Sequence, residues 1–289
     1  MTIQEWLSAW SFDAVPTLAA LVVGALYASA WRRVPARPGR PRSALPPSRA
    51  VCFLAGLAAL LVAVDGPPDV FAELSFSLHM VQHLLLQVVA APLLLLGGPV
   101  TVILRADPWW CPRRVLVRLL RSRVTVVLTN PVTALAGFTL VLVGTHLTGL
   151  YELSLRHEPV HELEHVVYLA SALLFWWPAI GVDPAPHRIR HAGRVMYLML
   201  SMPVPALLGA AIAGAGGVMY ASYDQPTPWG TDPLADQQAA GTLMWVGGMF
   251  TIVPALGVVV MRWLEDEARR GDRRDRNAPT TSDGIAGAR

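Results

Sequence analysis

The chain has 289 residues, of which 54% are hydrophobic and only 15% are charged, and its mean hydropathy is +0.45. Ordinary soluble domains carry about a quarter charged residues, so this composition excludes most soluble folds. The formal net charge is +3, and because the chain contains no lysine, every strongly basic side chain is an arginine.

Seven apolar runs recur along the chain between short polar segments. A membrane-spanning helix needs about 20 apolar residues to cross a hydrocarbon core of about 30 Å at about 1.5 Å per residue. The predicted spans are residues 14–31, 50–66, 77–104, 124–148, 159–180, 194–216 and 238–263. We therefore predict an all-α, polytopic bundle of seven transmembrane helices that forms one domain over residues 1–264. Residues 265–289 have hardly any apolar side chains and are predicted to be a disordered cytoplasmic tail.

The arginines alternate from loop to loop. They are concentrated in residues 32–49, 105–123 and 188–194 and in the tail, whereas loop 217–237 holds three aspartates and no arginine. Because cytoplasmic loops of membrane proteins are enriched in basic residues, the N-terminus is predicted outside and the C-terminus in the cytoplasm. The pI near 9.2 then reflects this bias, and we expect no nucleic-acid partner.

Histidines cluster at one predicted membrane depth. His79 and His83 open the third span, His161 and His165 open the fifth, and His146 ends the fourth. Spacing of i, i+4 puts both imidazoles of a pair on one helix face, which suits metal chelation. Ionisable groups within spans are costly and usually face a functional interior. We therefore predict that the two pairs converge on a metal. His146 is a further candidate ligand, which could instead be a hydrogen-bonded structural residue.

Two residues of the last span are additional candidate ligands. Met244 could supply a thioether and Asp236 a carboxylate, although methionine in apolar helices is more often packing and Asp236 could instead cap its helix. If the methionine is a ligand, a thioether combined with imidazoles favours Cu(I) over harder ions.

The remaining histidines and the cysteines are given structural roles. His157 is predicted to cap the start of the fifth span, while His187 and His191 fall in an arginine-rich loop and are predicted to be surface residues. Cys52 and Cys111 are predicted on different sides of the membrane, so a disulfide or shared metal site is not expected.

Two alternative functions use the same histidines. Residues His161–His165 satisfy H-E-x-x-H, in which two histidines bind zinc and the glutamate, here Glu162, activates water. Such a protease needs a third ligand from another span, for which Asp65 or Asp236 is a candidate. A haem held between histidines of the third and fifth spans is the other alternative.

A series of short motifs resembles the multi-spanning CtaG family of cytochrome c oxidase assembly factors. The motifs are His79–His83, His146 with Tyr151, Pro159–His165, Phe175–Pro178, Met219–Tyr223 and Asp236–Trp245. One departure is that Thr145 and Thr148 stand where the family tends to have tryptophan and proline.

The resemblance implies a non-catalytic, multi-pass protein of the bacterial plasma membrane that is needed to mature haem–copper oxidase. Copper would be held at the extracytoplasmic histidine cluster and passed on, with oxidase subunits or other assembly factors as partners. In the family pattern the characteristic glutamate corresponds to Glu164, whereas the position of Glu162 is freer. The resemblance therefore disfavours zinc proteolysis, which would require Glu162.

Overall fold

The computed structural model describes residues 3–34, 45–106 and 110–277, and these form helices and no strand. The predicted all-α architecture is therefore confirmed. We number the seven long helices in chain order: α1 Ala14–Arg32, α2 Ser48–Val64, α3 Phe76–Arg105, α4 Pro131–Leu147, α5 Glu158–Ile180, α6 His191–Ala213 and α7 Pro233–Asn277. Shorter helical segments are Ile3–Ser8, Pro67–Val70, Cys111–Leu120, Arg123–Leu128, Leu150–Arg156 and the 3₁₀ turn Ala221–Tyr223.

Within the described ranges, six helices are long and apolar enough to cross a membrane. A seventh span results if α4 and Leu150–Arg156, which meet at a bend of 70°, are counted together. The chain is thus a multi-pass membrane protein. The fourth span starts later than predicted, at Pro131, because the Asn130 side chain accepts a hydrogen bond from Val132 N and caps a new helix there.

Helix α7 continues well past the predicted end of the last span. It is helical to Asn277, so the predicted disorder from residue 265 is wrong for residues 265–277, and residues 278–289 lie outside the described part. Pairs such as Glu265 with Arg269 and Glu267 with Arg270 lie on one helix face at 3.8 and 3.6 Å. These pairs support a helix that the adjoining span has already nucleated.

Helix α3 is central to the bundle and packs against α2, α5 and α7. Its segment Leu85–Ala90 is π-helical, and Gly98, with φ of 62°, allows a turn before the last helical stretch. The carbonyls of Gln87 and Val88 accept hydrogen bonds from Trp176 Nε1 of α5 at 2.8 Å and from Thr251 Oγ1 of α7 at 3.0 Å. These contacts fix the widened turn against both neighbouring helices.

Helices α6 and α7 approach each other closely. A Cβ built on Gly241 of α7 would lie 2.5 Å from Ala213 N and 2.6 Å from Gly209 O of α6. Small residues of this kind let transmembrane backbones approach each other. The contact sets the position of the start of α7 beside the start of α3.

Candidate metal centre

The start of α3 is held in place by Asp236 of α7. The Asp236 carboxylate accepts hydrogen bonds from Phe76 N at 2.6 Å and from Ser75 Oγ at 3.0 Å, and it also contacts Ser77. Acceptors at a helix N-terminus satisfy free N–H groups and interact favourably with the helix dipole. Asp236 thus caps the neighbouring helix α3. Its predicted role as a metal ligand does not fit this geometry, because its oxygens already bind these donors.

His79 and His83 lie one turn apart on α3 and are buried. Their Nε2 atoms face each other at 2.9 Å. Two nitrogen ligands at about 2 Å from one ion have a separation of about this size. The pair therefore has the spacing of two ligands of a single metal ion.

Tyr223, in the turn before α7, orients the His79 ring. Its hydroxyl donates to Ala72 O at 2.7 Å and lies 3.0 Å from His79 Nδ1. Because a hydroxyl has one proton, which goes to the carbonyl, His79 Nδ1–H must be the donor in the second bond. Burial also raises the pKa of Tyr223 well above its usual value, which keeps that proton in place. The arrangement leaves His79 Nε2 with a free lone pair, as metal-binding histidines require.

His161 and His165 on α5 face the α3 pair. The ring centres of His79 and His161 are 5.0 Å apart, and those of His83 and His165 are 5.9 Å apart. Ligand atoms of His79, His83 and His161 lie within 4.8 Å of one another. The two pairs thus converge as the sequence predicts, while metal binding itself stays a prediction.

A fifth residue, Asp69, which the sequence did not predict, joins this cluster. Ligand atoms of Asp69, His161 and His165 also lie within 4.8 Å of one another. Asp69 belongs to the short helix Pro67–Val70, and its Oδ1 accepts a hydrogen bond from Gln82 Nε2 at 2.6 Å. A carboxylate after Pro67-Pro68 resembles an ordinary first-turn acid of a helix, and only its distance of ten residues from His79 hints at this site.

Asp65, the other aspartate in this region, has a different role. Its Oδ1 accepts from Asp13 N at 2.9 Å, and its Oδ2 accepts from Thr17 Oγ1 at 2.8 Å. It therefore fixes the start of α1. The third ligand that an H-E-x-x-H zinc site would need was predicted to be Asp65 or Asp236, but the structure brings Asp69 to these histidines.

His146 and Met244 lie apart from both ligand groups. They line a small cavity of about 40 Å³ together with Met80, His83 and Gln87. His146 Nδ1 lies 2.9 Å from Leu142 O, so it carries the donating proton, and His146 Nε2 has no hydrogen-bond partner among the described residues. Both predicted ligands are thus near His83 without belonging to the His79, His83 and His161 group.

The two threonines that depart from the family pattern shape the end of α4. Thr145 Oγ1 and the Tyr168 hydroxyl form a hydrogen bond of 2.5 Å, and this hydroxyl lies 3.2 Å from His146 Nδ1. Thr148 Oγ1 accepts from Leu150 N at 3.2 Å. Thr148 thus supports the chain at the bend after α4.

The remaining histidines lie away from the cluster. His157 occupies the position that precedes α5, but its side chain makes no capping hydrogen bond, so the predicted capping role is wrong. His187 contacts Val126 O at 3.1 Å, and His191 contacts the Asp266 carboxylate at 3.0 Å. Cys52 and Cys111 are both free thiols.

A large cavity opens beside the histidine cluster, between α1, α2 and the start of α5. Its volume is about 780 Å³, and we call it the vestibule. Its polar lining consists of the side chains Asp13, Asp69, Glu73, Glu158, His161, Glu162 and His165. The vestibule thus borders the His161 and His165 side of the cluster, and its remaining lining residues are apolar.

Comparison with known proteins identifies the family. Residues 25–266 match the family of cytochrome c oxidase caa3 assembly factors. The chain belongs to this family. The predicted resemblance to the CtaG family is thereby confirmed, and no solved structure matches the chain.

Curated relatives of this assembly-factor family member occur in mycobacteria. Uncharacterized proteins of Mycobacterium bovis and Mycobacterium tuberculosis are each 30% identical over 285 residues, and one of Mycobacterium leprae is 29% identical over 289 residues. Each alignment covers 96% of this chain but only 42–43% of the relative. The chain thus spans less than half the length of these relatives.

Proposed function

We propose that this assembly factor holds a copper ion between α3 and α5 and hands it to the oxidase. The observation that carries the proposal is the convergence of His79, His83 and His161, whose ligand atoms lie within 4.8 Å of one another. Imidazole is a good ligand for copper. Ionisable side chains within membrane-spanning helices are costly, so three of them together support a functional site.

The charge of the site favours a monovalent ion. The inner three ligands are imidazoles, which are neutral when they bind metal. The cost of burying an ion rises with the square of its charge, and neutral ligands provide no compensating negative charge. Cu(I) is therefore held at lower cost than Zn²⁺ or Cu²⁺. Because the ligands carry no negative charge, the ion is also released more readily, as a protein that delivers metal requires.

The proposed location is the bacterial plasma membrane, with the histidine end of the bundle on the extracytoplasmic side. The arginine-rich segments support this orientation: Arg113, Arg114 and Arg118 follow α3, and Arg188 and Arg190 follow α5, both at the end opposite to the histidines. Copper would be received and passed on outside the cytoplasm. We propose that the partners are oxidase subunits or other assembly factors and that the role is non-catalytic.

Neither alternative function is favoured by the family match. A zinc protease would use Asp69, His161 and His165 as ligands and Glu162 as the base. Bis-histidine haem binding would require a macrocycle between two imidazoles, and the ring centres of His79 and His161, 5.0 Å apart, are too close for one between that pair. Copper delivery therefore remains the preferred proposal.

Metal analysis of detergent-purified protein tests this proposal. We expect Cu(I) to bind stoichiometrically, without a haem Soret band, and the His79→Ala/His83→Ala double variant to lose that binding. The matched control is His187→Ala/His191→Ala, which removes an i, i+4 pair outside the cluster and should bind copper like the wild type. Equal copper binding by wild type and the His79/His83 variant would reject the proposal.

A further inference from the structure

The charged residues that line the vestibule are all acidic among the described residues. Five carboxylates face it, from Asp13, Asp69, Glu73, Glu158 and Glu162, and no arginine is among its described lining residues. A cleft lined by one sign of charge concentrates ions of the opposite sign and accelerates their association. The vestibule is thus suited to collecting cations.

Asp69 is the carboxylate that joins the vestibule to the histidines. It is partly buried, and Gln82 fixes its Oδ1 at 2.6 Å, while the contact of Ser11 Oγ with Oδ2 is long at 3.5 Å. The fixed side chain presents an oxygen within 4.8 Å of the ligand atoms of His161 and His165. The Nε2 atoms of both histidines are buried and have no hydrogen-bond partner among the described residues.

His161 belongs to two ligand groups at once. The inner group combines it with His79 and His83, and the outer group combines it with Asp69 and His165. The inner group has two fully buried members, whereas Asp69 and His161 of the outer group are partly exposed and line the vestibule. The two groups therefore form consecutive positions on one path from the vestibule to the interior.

We propose that Asp69, His161 and His165 form an outer loading site through which a cation from the vestibule reaches the inner His79, His83 and His161 centre. This inference rests on the proposed function, since it takes the inner centre as the place where copper is held. The outer site provides one negative charge, which offsets the cost of removing water from the cation. The inner site provides none.

Transfer between the two positions is a ligand exchange at constant oxidation state. The bond from the ion to the Asp69 oxygen and the bond to His165 break, while bonds to His79 and His83 form. His161 stays bound throughout, so the ion is never without a protein ligand. No electron or proton donor is required.

Loading kinetics test the outer site. Cu(I) is supplied to detergent-purified protein as its bicinchoninate complex, and the loss of the colour of that complex reports the rate and the final stoichiometry. We expect Asp69→Asn to slow loading by about tenfold or more and to leave the final stoichiometry unchanged. His165→Ala should have the same effect. The control Asp224→Asn removes an exposed carboxylate outside the vestibule and should load like the wild type.

The outcomes separate this inference from the proposed function. Wild-type loading rates in both Asp69→Asn and His165→Ala would overturn the outer site while leaving copper binding intact. Loss of equilibrium binding in Asp69→Asn equal to that in His79→Ala would show one single centre and would also overturn it. Absence of Cu(I) binding in the wild type would reject the proposed function itself. If Asp69→Asn does not fold, the test uses two other variants. Asp69→Glu keeps the carboxylate and should load fast, whereas His165→Ala should load slowly, and a wild-type rate in His165→Ala would then overturn the outer site.

Discussion

The hydroxyl of Tyr223 lies 3.0 Å from Nδ1 of His79 and donates its proton to Ala72 O at 2.7 Å. These two contacts fix which nitrogen of His79 carries the proton. They also explain why a tyrosine in a loop far along the chain belongs to the motif Met219–Tyr223. The loop sets the orientation of His79, a candidate ligand on another helix.

The Tyr223→Phe variant tests this orienting contact. Loss of such a partner of a metal-binding histidine typically lowers metal affinity by about 10- to 100-fold. We expect a weakening of Cu(I) affinity in this range, measured by competition with a chromogenic chelator. Tyr220→Phe is the matched control, because the Tyr220 hydroxyl donates to His146 O at 3.0 Å instead. Equal affinities for Tyr223→Phe and wild type would contradict the assigned role.

The Asp236→Ala variant should affect stability rather than metal binding. It removes the acceptor for Phe76 N and the neighbouring serines, and loss of a helix cap costs about 0.5–2 kcal/mol. We expect a lower thermal midpoint in detergent, with copper stoichiometry retained in the folded fraction. The exposed Asp224→Asn serves as control. A variant with an unchanged midpoint that binds no copper would instead identify Asp236 as a ligand.

The Gly241→Ala variant should separate α6 from α7. Its new Cβ would lie 2.5 Å from Ala213 N, which requires a backbone shift, and overpacking of this kind costs about 1–3 kcal/mol. We expect a lower thermal midpoint. Gly257→Ala on the same helix places its Cβ in open space, so its midpoint should be unchanged or raised. If both variants melt alike, the close approach of the two helices is not stabilising.

The Glu162→Gln variant discriminates copper delivery from zinc proteolysis. Glu162 is exposed on the vestibule wall and belongs to neither ligand group. A metalloprotease of the H-E-x-x-H type requires that glutamate as its base. We expect membranes of a deletion strain complemented with the variant to keep cytochrome c oxidase activity. Complete loss of this activity with normal copper binding would favour hydrolysis.

The histidine cluster could be predicted because its signal is local. A spacing of four residues places His79 with His83, and His161 with His165, on single helix faces whatever the tertiary structure. Asp69 could not be found this way, since its position depends on the short helix Pro67–Val70 folding back over α3. Long-range packing, which no local pattern records, decides that position.

The role of Asp236 and the length of α7 show the same difference between what local sequence patterns predict and what the tertiary structure decides. The sequence suggests that Asp236 caps its own helix, whereas in the structure it caps α3, which begins at Phe76, 160 residues earlier in the chain. Residues 265–277 have too few apolar side chains to fold alone, yet they continue a helix that the membrane span already stabilises. Composition predicts whether a segment folds independently, and it does not describe segments that extend an existing helix.

The π-helical segment Leu85–Ala90 has a consequence for the proposed copper centre. A widened turn contains one residue more than an α-helical turn, and one residue corresponds to about 100° of rotation at 3.6 residues per turn. The segment therefore sets the rotation about the helix axis between the two parts of α3. The part before it presents imidazoles to α5, and the part after it packs on α2. Deleting one residue there would turn these two halves against each other and aim the imidazoles away from their partners.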